Sequence, residues 1–154
     1  GIREGLKECK VEDENIFETS VPGAFELPLA TRFLALSGTV DAIIATGVLI
    51  KGDTMHFEFI ADAVAKGLMN TGIQTTFPIV FGVLTCQNDQ QVKDRSSGSN
   101  NHGVEWGKTA VEMALLRTEA LGGKAAVDST ALKDMGFGSK EDGSGEKKKS
   151  SSFF

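Results

Sequence analysis

Cysteine and histidine are scarce in this 154-residue chain, with two of each. Cys9 and Cys86 lie far apart and without C-x-x-C spacing, so no disulfide framework organises the fold and a reducing compartment is the expected setting. Two histidines and two cysteines at scattered positions make no zinc pattern. No apolar run approaches the ~20 residues that a membrane helix needs. Neither G-x-G-x-x-G nor G-x-S-x-G is found, which removes the common dinucleotide and hydrolase signatures. Positive charge is in the minority: the formal net charge is −5, which argues against a nucleic-acid or membrane partner held by electrostatics. The basic run Lys147–Lys149 falls in a Ser/Gly-rich tail and reads as solvated.

What is present suffices for one domain. The apolar share is 40%, enough for a core at this length. Residues 2–10 read as the end of a helix, and residues 15–21 as a strand closed by Pro22-Gly23. From Leu27 the pattern turns helical, with Pro28 suited to a first turn, with Ala30, Phe33 and Leu34 on one face and Ser37-Gly38 as the stop. Residues 41–50 form an apolar run rich in Ile and Val, which reads as a strand buried on both faces. Residues 55–69 place Phe57, Ile60, Ala61, Val64 and Leu68 on one helical face, with Asp53 or Thr54 as cap. Residues 70–77 read as a loop, 78–84 as a buried strand, 89–95 as a short polar helix, 96–101 as a loop, and 103–117 as a helix. Beyond Gly122 the periodicity fades, and a disordered extension is expected over residues 121–154.

Alternating strands and helices with apolar strands predict an α/β fold, a parallel sheet covered by helices on both faces. Ligands gather beyond the carboxyl ends of such strands. The turns Pro22–Glu26, Lys51–His56 and Thr85–Asp89 are therefore expected at one edge.

Several residues in or near those turns can carry chemistry. His56, at the head of a helix, suits proton shuttling because histidine titrates near neutral pH; alone it could equally cap or pack. Gly52-Asp53-Thr54 offers backbone N–H groups and a hydroxyl at a helix N-terminus, a place for phosphate or carboxylate, or simply an N-cap. Arg95 could clamp a phosphate, although a solvated helix-end arginine reads as well. His102 follows the same loop and could be delivered to the same ligand. Phe25, in Pro-Gly-Ala-Phe-Glu, could stack on a planar ring. Phe81 is mid-strand and reads as core, and Trp106 as packing.

Four segments, VPGAFELP (21–28), DAIIATGVLIKGDTMHFEFIADAVAKGL (41–68), PIVFGVLTC (78–86) and NHGVEWGKTAVEMALL (101–116), together resemble the 6,7-dimethyl-8-ribityllumazine synthases of riboflavin biosynthesis. The resemblance implies a three-layer sandwich with flavodoxin-like strand order over residues 1–120. It implies a transferase that condenses 5-amino-6-ribitylamino-uracil with 3,4-dihydroxy-2-butanone 4-phosphate, with no cofactor or metal. It implies His56 as the proton-transfer residue, Phe25 on the pyrimidine, and Ala24 and Glu26 on the ribityl chain. Leu49 and Ile50 would meet the ring by backbone, Asp53 and Thr54 would form the phosphate turn, and Arg95 would bind phosphate. Phe81 would come from the neighbouring subunit, and His102 stands where many members have lysine. Family sites lie between subunits of a pentamer, and in some members twelve pentamers form a hollow shell. A non-catalytic lumazine- or flavin-binding relative is the alternative. Family members normally open with a further strand inside the sheet, so the domain is expected to be N-terminally incomplete. The chain starts at Gly1, which leaves cytoplasm and plastid both as expected locations.

Overall fold

The computed structural model describes residues 1–121. The expected extension over residues 121–154, with its basic run, lies outside the described residues from Gly122 onward. The elements are helix α1 (Ile2–Glu8), helix α2 (Leu27–Ser37), strand β1 (Ile43–Ile50), helix α3 (His56–Thr75), strand β2 (Ile79–Cys86), helix α4 (Asp89–Ser96) and helix α5 (His102–Ala120).

β1 and β2 pair in parallel, from Ile43 opposite Ile79 to Ile50 opposite Cys86. Strand alternation sends odd and even positions to opposite faces. On the odd face, Ala45 and Val83 pack against Val64 and Leu68 of α3, with Leu27, Leu49, Ile60 and Ile79 around them. On the even face a Cβ at Gly82 would lie 3.1 Å from the Trp106 ring of α5, so Trp106 does pack, as expected. Helices thus cover both faces, and the architecture is the expected three-layered α/β. Behind α5 lies α1, close enough that a Cβ at Gly107 would sit 2.6 Å from the Ile2 carbonyl oxygen.

The local signals explain most boundaries. Pro28 sits in the first turn of α2, and Gly38 ends it in the left-handed region at φ 68°, which glycine adopts at little cost. Asn88 and Asn101 cap α4 and α5 by accepting from the Gln91 and Gly103 N–H groups.

Four readings are corrected. Residues 15–21 are not a strand: Asp13–Asn15 closes as a 3-10 turn, and residues 16–20 have no ladder partner among the described residues. Arg3 of α1 holds this segment through Asp13 and Glu18, at 3.0 and 2.9 Å. β1 is not buried on both faces, since Val48 and Ile50 are 48% and 42% exposed, whereas Val80, Gly82 and Leu84 on the same face of β2 are buried, with Trp106 of α5 at Gly82. Residues 70–75 are helical, because α3 runs on to Thr75 with Thr71 buried and its hydroxyl bonded to the Gly67 carbonyl at 2.8 Å. Finally, Phe33 does not share the buried side of α2 with Ala30 and Leu34 but is 63% exposed.

Candidate active site

Because the two strands are parallel, both carboxyl ends meet one edge of the sheet, and a cleft of about 540 Å³ opens there. Its size is that of an ordinary small-molecule site. Gly23, Ala24, Phe25 and Glu26 form one wall, Leu49 and Ile50 at the end of β1 form the floor, and Gly52, Thr54, His56, Phe57 and Ile60 form the other wall. Two of the three expected turns therefore converge. The third, Thr85–Asp89, leaves the same end of the sheet but does not line the cleft.

The first wall is a 3-10 turn, Ala24–Glu26, that runs directly into α2. Such a tight connection leaves the large ring of Phe25 outside the core, and it is 59% exposed. The opposite wall begins where the ladder ends: the Lys51 N–H still donates to the Cys86 carbonyl at 2.9 Å, and the chain then turns through Gly52–Met55 into α3. Neither Asp53 nor Thr54 is the N-cap residue. Met55 holds that position without a side-chain bond, and Thr54 Oγ1 accepts weakly from the His56 N–H at 3.4 Å. The opening N–H groups of a helix have no partners within it, so this helix start can receive an acceptor. His56 stands on its first turn, in the cleft, and exposed.

One ion pair borders this wall. Lys51 Nζ bonds Glu58 Oε1, and that bond, with the Glu58 backbone N–H second, holds the Glu58 carboxyl below its usual range. The other oxygen, Oε2, is buried and has no partner among the described residues.

Ala24, Phe25, Glu26, Leu49, Ile50, Thr54 and His56 are thus brought together. Asp53 lies between two lining residues but is not one itself, and is exposed. Phe81 is not core as read from the strand pattern: it is 41% exposed and lies away from the cleft. Arg95 is turned back on its own helix, with Nη1 donating to the Gln91 carbonyl at 3.1 Å. His102 opens α5 and lines a different depression, of about 480 Å³, with Glu4, Asn100 and Trp106; its ring meets Trp106 edge-on at 6.3 Å. Arg95 lines neither that depression nor the cleft. Helical periodicity marks Phe57 and Ile60 only as core-facing, yet both line the cleft.

Among the described residues no cluster of three or more His, Cys, Asp or Glu side chains could hold a metal ion, and no helix is long and apolar enough to cross a membrane.

Residues 1–118 match the family of 6,7-dimethyl-8-ribityllumazine synthase. The chain is 39% identical to a protein of that name from Pyricularia oryzae, across 80% of this chain and 82% of the relative. It is 49% identical to the Schizosaccharomyces pombe protein, across 71% and 70%, and 47% identical to the one from Edwardsiella ictaluri, across 73% and 74%.

Proposed function

The chain belongs to the 6,7-dimethyl-8-ribityllumazine synthase family, and from that premise we propose how its residues divide the work. Its reaction is a step of riboflavin biosynthesis: 5-amino-6-ribitylamino-uracil and 3,4-dihydroxy-2-butanone 4-phosphate condense to 6,7-dimethyl-8-ribityllumazine. The observation that carries the assignment of roles is that His56 and Phe25, far apart in sequence, line one cleft together with Leu49 and Ile50.

Phe25 stacks on the flat pyrimidine, with the backbone of Leu49 and Ile50 along the ring edge. Ala24 and Glu26 lie along the ribityl chain, Glu26 accepting from hydroxyl groups. The second substrate places its phosphate at the Gly52–Thr54 turn, against the backbone N–H groups and the Thr54 hydroxyl at the start of α3. Asp53 contributes its backbone there. The pyrimidine amine attacks the ketone to give an imine, phosphate is eliminated, the ring closes and water leaves. Each step moves a proton, and we assign that transfer to His56, whose imidazole can both give and take one.

Among the described residues no Lys or Arg lines the cleft to meet the leaving phosphate. We infer that a second copy of the chain supplies one: Arg95, with Phe81 and His102, completes the site of its neighbour in a homopentamer. Exposed apolar side chains support association. Leu29, Phe33 and Leu36 of α2 and Phe59, Met69 and Ile73 of α3 are all more than half exposed, apolar surface that a neighbouring copy would cover.

Mixing the two substrates and following lumazine absorbance tests the reading. Turnover supports it. Tight binding of the pyrimidine without turnover would instead favour a non-catalytic lumazine- or flavin-binding relative.

A further inference from the structure

We propose that Lys51 and Glu58 form a strap that positions the Gly52–His56 segment for catalysis, so that both are positioning residues of the reaction although neither lines the cleft. The inference rests on the reading of His56 and the Gly52–Thr54 turn given above.

The strap closes a ring. At one end Lys51 is fixed to the sheet, its N–H donating to the Cys86 carbonyl at 2.9 Å. Its side chain then crosses the turn to Glu58 Oε1 on α3. Between these anchors, Gly52 to His56 are all exposed, and a Cβ at Gly52 would meet nothing within 4 Å. Packing does not hold the turn. Outside the ladder of α3 itself, its other described hydrogen bonds are the weak one from the His56 N–H to Thr54 and the one from the Phe59 N–H to the Met55 carbonyl at 3.3 Å. The ion pair is thus a direct side-chain tie across the turn, beside the core packing of Leu49 and Ile60 that flank it.

The pairing is also exclusive. Glu58 Oε2 is buried without a partner, so without Lys51 the carboxylate has no side-chain donor among the described residues. Both side chains are partly shielded, at 44% and 32% exposure. A pair this accessible contributes little to global stability. A small displacement of a catalytic group, in contrast, is costly: ~1 Å can cost roughly a hundredfold in rate. The strap's effect therefore falls on turnover and not on folding.

Steady-state kinetics of Lys51→Met, Glu58→Gln, the double variant and Lys51→Arg, with amide hydrogen exchange over Gly52–His56, tests this. Each single variant is expected to lose roughly 10–100-fold in kcat, with KM for the pyrimidine within about two-fold. The double variant is expected to be no slower than the slower single, because both remove one interaction. Lys51→Arg, which keeps the pair, recovers most of the rate, and exchange over Gly52–His56 quickens in Lys51→Met. Single variants within about two-fold of wild type, or losses that multiply in the double, overturn the strap. If the wild-type protein makes no lumazine, the reading of the site fails separately. Exchange then decides the strap alone: faster in Lys51→Met upholds it, and unchanged overturns it.

Discussion

The hydroxyl of Thr54 accepts from the backbone N–H of His56 at 3.4 Å. The turn assigned to the leaving phosphate and the residue assigned to proton transfer therefore share one local geometry, at the head of α3. Phosphate elimination needs both a seat for the anion and a proton moved nearby, and this short segment supplies the two together.

Replacing His56 by alanine is expected to lower kcat by roughly 10²–10⁴-fold, the range for loss of a general acid or base. His56 is exposed, so circular dichroism and Tm stay close to wild type. A rate within a few-fold of wild type would reduce His56 to a lining residue.

Phe25→Ala removes an exposed ring and leaves stability nearly unchanged. Loss of a stacked base costs about 1–3 kcal/mol, or roughly one to two orders of magnitude in pyrimidine affinity. Calorimetric titration with the pyrimidine substrate reads this directly. Unaltered affinity would place the pyrimidine elsewhere.

Arg95→Ala is expected to raise KM for the butanone phosphate well above any change in KM for the pyrimidine. Initial-rate kinetics with each substrate varied in turn separates the two. Equal weakening of both would point to general disruption of α4.

Gly107→Ala tests the contact between α1 and α5. Helix propensity alone favours alanine by about 1 kcal/mol. Its Cβ, however, would lie 2.6 Å from the Ile2 carbonyl oxygen, and forcing the helices apart costs about 1–3 kcal/mol. The two effects have opposite signs, and the clash is expected to win. Thermal unfolding should show a lower Tm, and a raised Tm would mean that the helices are not in such close contact.

The Glu58 carboxyl is held below its ordinary value of 4.5, first by the hydrogen bond from Lys51. A carboxyl depressed in the folded state adds stability that is present above the unfolded value and is lost as pH falls through the folded one. The strap is therefore intact at neutral pH and opens only in acid below pH 4.5. An NMR titration of the Glu58 carboxyl carbon should give a midpoint below that value, moving upward in Lys51→Met. A wild-type midpoint at or above it would contradict the pairing.

Much of this architecture was legible in the sequence because local and global signals agree. Pro28 and Gly38 bound α2, the Ile- and Val-rich runs form the two strands, and parallel pairing brings Phe25 and His56 to one edge. The misreadings arose where tertiary context decides. Residues 16–20 have strand-like composition, but a strand exists only with a ladder partner. Asn70-Thr71-Gly72 reads as a break, yet Thr71 is buried with its hydroxyl satisfied inside the helix, and Gly72 lets the Phe77 carbonyl approach, at 3.3 Å from where a Cβ would stand. Motif resemblance put Arg95, Phe81 and His102 in the same site as His56. Within one chain none of the three lines the cleft with His56, and sequence order alone does not say which residues share a site.

Complementation between variants tests the central claim, a lumazine synthase site completed by a second copy, most directly. His56→Ala and Arg95→Ala proteins are unfolded together, refolded as a mixture, and assayed for lumazine formation. If His56 and Arg95 serve one site from different copies, some sites in the mixed oligomers combine an intact His56 with an intact Arg95, and activity rises well above the sum of the two variants alone. A mixture no more active than that sum would contradict the account.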